Sequence, residues 1–232
     1  AIAYKFYDES FPTQLRAIDW TMGRTGVLTP VAVFEPIDID GSTVERASLH
    51  NVSVMRGLWD GQWQSGLTVH IYKANQIIPQ ISKVELGNSS CATLLEPPTI
   101  CPVCGGATEL KVSDEGIINL VCANPDCEGK LINKLDHFCG KKGLDIKGLS
   151  KATLEKVIEW GWVMSCKDLF YLFKHTDEWV KKPGFGQKSV TKICDAIDAS
   201  RKTETWRFIS ALGIPLIGST YAKEICKKLT TW

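Results

Sequence analysis

Residues 101–127 read CPVCGGATELKVSDEGIINLVCANPDC, and they decide how the rest of the chain divides. Cys101 and Cys104 form one pair and Cys122 and Cys127 a second, with 17 residues between them. A C-x2-C turn curls two sulfurs onto one ion, and Gly105-Gly106 relaxes the backbone behind it. Residues 107–121 carry a hairpin signal, turning at Asp114-Glu115-Gly116, that would bring the second pair to face the first. Four closed thiolates make a structural zinc site, a zinc ribbon with no open position for a reacting water. Residues 101–129 are too few to hold a core unaided, so the metal is expected to supply much of the folding free energy. The alternatives are a redox CxxC, which wants a βαβ setting that this stretch lacks, or free buried thiols. His137 and Cys139 are close enough in sequence to be rival ligands, although His137 reads better as a packed or surface residue on a helix.

To the left, residues 1–85 read as β. Ile18, Trp20 and Met22 fall on one face at period two, predicting a strand over 13–22. VLTPVAVFEP (27–36) is a second extended run, with Pro30 and Pro36 marking edges or bends. Asp40-Gly41 is a turn before STVERASL, and LTVHIYKA (67–74) and IIPQISKVEL (77–86) complete five short strands. Such a set suits a small barrel or sandwich, and an OB-type barrel is one option that commonly binds nucleic acid. Residues 87–100 (GNSSCATLLEPPTI) break both periodicities and read as a linker.

To the right, residues 130–232 read as helical. LINKLDHFC, SKATLEKVIEWG, CKDLFYLFKH, KSVTKICDAIDASR, TETWRFISAL and STYAKEICKKL repeat apolar residues every three or four positions. Three Gly-rich turns recur there: Lys142–Ser150 with Gly148, Lys182–Lys188 with Gly184 and Gly186, and Leu212–Ser219 with Gly218. Each precedes a helix whose free N–H groups and dipole favour an anion. The pattern resembles the helix-hairpin-helix motif, which holds duplex backbone without reading bases. The competing reading is an all-α bundle in which the glycines merely cap helices.

Of the 232 residues, 44% are hydrophobic and 23% charged, an ordinary globular composition with net charge +1. The sum hides a split. Residues 1–129 hold 8 basic against 15 acidic side chains, and residues 130–232 hold 19 against 11. A basic half points to an anionic partner such as nucleic acid. No apolar run approaches the ~18 residues of a membrane span, and no signal peptide is visible at the start. The chain begins without Met, which reads as a piece of something longer. Nine cysteines with no secreted spacing indicate a reducing interior.

Several runs resemble the bacterial NAD-dependent DNA ligases. Gly23-Arg24-Thr25-Gly26-Val27-Leu28-Thr29-Pro30-Val31-Ala32 is similar to that family's GRTG-x-x-TPVA signature. Ala47-Ser48-Leu49-His50-Asn51 is similar to its A-T-L-H-N, and Lys73-Ala74-Asn75-Gln76-Ile77-Ile78-Pro79-Gln80 to its K/R-A-G-D-V-I-P-Q strand. Ala3-Tyr4-Lys5-Phe6 resembles the A-x-K-F end of its nucleotidyltransferase domain. The four-cysteine module, His137-Phe138 and the Gly-rich turns follow in the family's order.

The resemblance implies a multi-domain α+β chain: residues 1–8 the tail of the adenylation domain, 9–86 the OB domain, 87–100 a linker, 101–129 the zinc finger and 130–232 part of a helix-hairpin-helix domain. It implies a C-terminal, DNA-binding portion of an enzyme that seals nicks in duplex DNA in replication and repair. NAD and Mg would act in the full-length enzyme, in the bacterial cytoplasm at the nucleoid. The partners implied are nicked double-stranded DNA and the adenylation domain of the same protein, with no membrane. Lys5 would touch the nucleotide phosphate, and Arg24 would stand near the nick phosphates as the catalytic cation. Thr25, Lys73, Ile77, Ile78, Gly148, Gly184, Gly186, Lys188 and Gly218 would contact DNA, Ile77 and Ile78 in the minor groove. In the residues alone, Lys5 reads as a surface cation and the two isoleucines as strand core.

Three departures stand out. Asn75-Gln76 replaces the family's Gly-Asp, Ser150 stands where a second Gly is usual, and Glu128-Gly129-Lys130 follows Cys127 where Pro-Ala-Gln is common. No K-x-D-G occurs in the 232 residues, so the family's AMP-accepting lysine is not among them and this chain alone is expected to be catalytically incomplete. A non-catalytic repair scaffold with borrowed OB, zinc and helix-hairpin-helix parts is the rival class, and an RNA-binding ribbon protein is a third.

Overall fold

A computed structural model describes residues 9–87 and 92–229. These divide into two compact units, residues 1–127 and 128–232.

The first unit is built on strands β1 (Phe11–Met22), β2 (Val27–Ile39), β3 (Ser42–Ser48), β4 (Thr68–Ala74) and β5 (Ile78–Glu85), with helix α1 (Val52–Leu58) between β3 and β4. β1 pairs antiparallel with β4 through Phe11–Gln14, and then with β2 through Leu15–Met22. β2 continues to β3, β4 to β5, and β3 lies alongside β5. This is the closed order of an OB barrel. All five predicted strands are present, four within two residues of their expected ends and β2 running three residues further, to Ile39. The period-two reading of β1 needs one amendment. A bulge between Leu15 and Ala17 shifts the register, so odd residues (Thr13, Leu15) face inward before it and even ones (Met22) after it. Helix α1 was not expected from the sequence. Seven residues give no clear 3.6 period, and the signal lies instead in Asn51, whose side chain accepts the Val54 N–H at 2.8 Å as an N-cap.

The barrel core is Leu15, Phe34, Leu49, Leu67, Val69 and Ile71, all with 1% exposure or less. Each large member contributes ~1.5–3 kcal/mol by leaving water. The linker carries neither helix nor strand where it is described, but it is stitched to the barrel: Ser65 N–H donates to Thr93 O (2.9 Å) and Leu95 N–H to Trp63 O (2.7 Å).

The cysteine stretch supplies β6 (Thr108–Val112) and β7 (Ile118–Cys122), paired antiparallel as the expected hairpin. It is not a separate body. β7 pairs with the first two residues of β2, Val27 with Val121 and Leu28 with Leu120, on the edge that β3 takes over from Val31 onward. Ser53 Oγ in α1 also accepts the Ile118 N–H at 2.7 Å.

The second unit contains α2 (Glu128–Cys139), α3 (Lys151–Glu159), α4 (Thr176–Trp179), α5 (Gln187–Ser200), α6 (Thr205–Ala211) and α7 (Ser219–Lys228). Five of the six expected helices are α-helices, while Asp168–His175 is wound as a 3-10 helix. Trp179, Phe138, Leu135, Leu154, Leu169 and Leu172 fill its core. Phe138 meets Phe170 and Phe208 edge-on with centroids 6.3 and 6.2 Å apart, the geometry that the ring quadrupoles favour.

Candidate metal centre and nucleic-acid interface

The four sulfurs of Cys101, Cys104, Cys122 and Cys127 lie within 4.8 Å of one another. The backbone makes this possible. Gly105, at φ 69°, donates to Cys101 O at 3.0 Å, and Cys101 N–H donates to Gly106 O at 2.7 Å, closing the first turn. A Cβ on Gly106 would stand 3.1 Å from Asn124 Cβ and 3.3 Å from Cys104 Sγ, so the small residue leaves room for the sulfur. In the second turn Asp126 N–H donates to Asn124 Oδ1 at 3.0 Å, which folds the x4 spacing into a loop.

Cys104 and Cys122 are 3.6 Å apart. A tetrahedron with Zn–S bonds of ~2.3 Å has edges of ~3.8 Å, so the cage fits zinc. The Gly106 N–H holds the Cys104 thiol down to about 6, while burial pushes Cys122 up to about 12. Four thiolates in one cage need a cation among them. The four cysteines would hold zinc, which when bound supplies a cross-link and no open coordination position. The rival ligands have other roles. His137 Nε2 lies 3.3 Å from Ser210 O, and Cys139 is buried in the helical core with its thiol pushed up to about 12 by that burial.

Arg24 and Thr25 form an exposed tip between β1 and β2. Gly23 N–H donates to Val27 O at 2.8 Å and Gly26 N–H to Gly23 O at 3.0 Å, and Gly26 takes φ 84°. This is the three-residue hairpin loop that ends on a left-handed residue, and glycine meets that need at no steric cost. Among the described residues Arg24 makes no ion pair, so its guanidinium is open to a phosphate.

Ile77 and Ile78 stand at the β4–β5 tip with 78% and 52% exposure, so they are not strand core. The turn before them is made by Asn75 and Gln76 at φ 52° and 64°. Lys73 does not point outward with them. Its ammonium donates to Ile39 O and, at 2.6 Å, to Ser42 Oγ, tying β4 to the ends of β2 and β3. Along β1, the β4–β5 tip lies beyond the Phe11 end and the Arg24 tip beyond the Met22 end.

In the helical unit the three Gly-rich turns precede α3, α5 and α7 as expected. Each of the first two lies against the helix that follows the other. Gly148, at φ 90°, abuts α5, where a Cβ would strike Ile193 Cγ1 at 2.7 Å. Gly184, at φ 84°, lies 3.6 Å by the same measure from Lys156 Nζ of α3. Ser150, the departure from a second glycine, N-caps α3 by accepting the Thr153 N–H at 3.3 Å. Gly186 N-caps α5, and Lys188 is exposed in its first turn. Gly218 caps α7 in the third turn, where Leu216 is 95% exposed.

The barrel also matches a known family. Residues 12–91 fit the NAD-dependent DNA ligase OB-fold domain. Over 98% of its length the chain is 43% identical to a DNA ligase of Ruminiclostridium cellulolyticum and 42% identical to one of Lachnoclostridium phytofermentans. It is 39% identical to a DNA ligase of Thermotoga neapolitana over 98% of its length. The chain is similar throughout to DNA ligases, and its barrel to the OB-fold domain of the NAD-dependent ones. It spans about one third of the length of these relatives, 33%, 34% and 32% respectively.

Against the ligase motifs, Lys5 lies outside the described residues, together with the rest of residues 1–8. Lys156 carries no motif that marks it. Its ammonium sits 5.1 Å over the Phe185 ring, beside Gly184 of the second turn. The signal was three-dimensional: a lysine on α3 matters only because the second turn folds back onto it. No helix among the described residues is long and apolar enough to cross a membrane.

Proposed function

We propose that this chain is the DNA-holding part of an NAD-dependent ligase that seals nicks between 3′-hydroxyl and 5′-phosphate ends in duplex DNA. The observation that carries the reading is the Arg24 tip: a fixed hairpin loop, in the stretch that fits the ligase OB domain, with an exposed guanidinium that makes no ion pair among the described residues. The steps in the parent enzyme are nucleotidyl transfers, so positioned cations on phosphate oxygens lower the barrier as negative charge shifts. Arg24 offers a planar fork for this, and Thr25 beside it offers a hydroxyl. Lys5 would serve the nucleotide phosphate, and NAD and Mg would act in the whole protein. Exposed Ile77 and Ile78 suit the floor of a minor groove, an assignment their open position supports. Lys73 backs that tip from inside.

The paired turns at Gly148 and Gly184 act as helix-hairpin-helix elements. The helix N-termini of α3 and α5, with Lys156, Lys188 and Gly186, would take flanking phosphates, and Gly218 with α7 would form a further contact. The regions then follow the boundaries 9–86, 101–129 and 130–232, the first two joined through β2 and β7. Binding of this kind is independent of sequence and weakens with salt. Measured on a nicked duplex, log affinity should fall against log salt by ~0.9 for each phosphate neutralised. A flat salt profile, or preference for RNA hairpins over nicked DNA, would overturn the reading. In the full-length protein, sealing should depend on NAD and not on ATP.

A further inference from the structure

We infer that the four-cysteine knot is the positioning device for the Arg24 turn, through Gly26, Met22 and Leu28. Zinc-ribbon residues reach the turn directly. The N–H of Cys122, itself a metal ligand, donates to Gly26 O at 2.9 Å, two residues from Arg24. One residue therefore gives its sulfur to the cage and its amide to the loop. Val121 and Leu120 then pair with Val27 and Leu28, the first residues after the loop.

The side chains repeat the connection from below. Met22 and Leu28 are register partners on the two strands leaving the turn, and both are buried among Cys101, Cys122, Cys127, Leu120 and Val52. Met22 Sδ lies 3.6 Å from Cys127 Sγ. The strand residues on both sides of the tip thus rest on the sulfur cluster, and the loop's own glycine is hydrogen-bonded to it. Hairpin tips are ordinarily the least protected part of a sheet. Here the tip is clamped on one side by β1 and on the other by a metal-braced strand, so Arg24 projects from a fixed base. Fixing the base keeps a cation within the fraction of an ångström that charge stabilisation requires.

The inference uses the reading of Arg24 as the nick-facing cation only for its consequence, and the test separates the two. Amide exchange is followed in the 232-residue chain, zinc-loaded and chelator-stripped. Residues 23–28 should exchange faster on stripping, on the order of tenfold, while β4 and β5 stay protected. Unchanged exchange at 23–28 while 101–127 opens would overturn the coupling. So would equal loosening of β4 and β5, which would mean a general loss of fold. In Met22→Ala, zinc should remain at one per chain while 23–28 still loosens. Ser53→Ala, which cuts a separate link between ribbon and α1, should leave 23–28 unchanged; loosening equal to that of Met22→Ala would overturn the proposed route. In the full-length protein, Met22→Ala should slow sealing of a pre-adenylylated nick and spare self-adenylation with NAD. Loosening without slower sealing would uphold the coupling and remove Arg24 from the reaction.

Discussion

The β1–β2 tip and the β6–β7 tip share one backbone and carry opposite chemistry. In the first, Gly23 N–H bonds Val27 O and Gly26 N–H bonds Gly23 O; in the second, Ser113 N–H bonds Ile117 O and Gly116 N–H bonds Ser113 O. Each closes on a glycine in the left-handed region, at φ 84° and 78°. One loop reads Arg-Thr-Gly and the other Asp-Glu-Gly. What separates them is their support. Gly26 is buried and bonded to a cysteine of the cage, whereas a Cβ on Gly116 would meet nothing within 4 Å. The same turn is therefore a mounted cation at one site and a solvated hairpin end at the other. The lesson is that the turn type does not assign a function; what the turn is bolted to does.

The hardest blow to this comparison is to take away the support of both tips at once. Cys127→Ser removes one thiolate and leaves the other three sulfurs without a closed cage. Metal content should fall below one per chain, and the first unit should lose more than ~4 kcal/mol, the scale reserved for a lost metal or core. Isothermal denaturation with metal analysis reads this. A variant that keeps one zinc and its full stability would deny that all four sulfurs serve the site.

Next in size is the difference between the two charges. In the full-length enzyme Arg24→Ala should cut sealing by ~10²–10³, as expected when one donor to developing charge is lost. Arg24→Lys should restore only part of it, because an ammonium lacks the bidentate fork. The double variant Asp114→Ala, Glu115→Ala should leave the rate unchanged and alter stability by no more than ~0.5 kcal/mol. If the acidic tip mattered as much as the basic one, the two hairpins would be functional equals and the contrast would fail.

Much of this was readable before any coordinates. The five strands, the ribbon hairpin at 114–116 and the helices after the three Gly-rich turns were legible, because periodicity and glycine punctuation are local signals. Other features were not. The bulge at Leu15–Ala17 reverses which residues face inward, and nothing in a period-two pattern marks where parity will slip. Helix α1 is set by one N-cap in seven residues. The joining of β7 to β2 is a pairing between residues more than ninety positions apart, so the ribbon read as a self-contained module. By the family resemblance Lys73 reads as a DNA contact. Only the fold shows its ammonium bonded to Ile39 O and Ser42 Oγ. The cage itself was legible because metal geometry constrains spacing in a way that packing does not.

A finer cut separates backbone from charge. Gly116→Ala meets no neighbour within 4 Å, so its cost is the left-handed backbone alone, ~1–2 kcal/mol. Gly26→Ala should cost more, since the residue is buried as well as left-handed. Chemical denaturation of the two variants ranks them, and sealing should fall only in Gly26→Ala. Equal destabilisation would mean that the ribbon does not press on the Arg24 loop.

The smallest expected effect lies at the third tip, β4–β5. Here the chain places Asn75 and Gln76 where both must take positive φ, 52° and 64°. Asparagine tolerates that region because its short amide bonds locally, whereas glutamine has no such compensation. Gln76→Gly removes the strain on the folded side and adds chain entropy on the unfolded side. The two terms oppose, the first at ~1–2 kcal/mol and the second at ~0.5–1 kcal/mol. The balance should favour the variant by about 0.5 kcal/mol, read as a small rise in the denaturation midpoint at unchanged slope. Destabilisation instead would mean that the Gln76 side chain holds the turn. The exposed Ile77-Ile78 pair would then sit on a tip fixed by its own sequence, as the Arg24 tip is fixed by its neighbour.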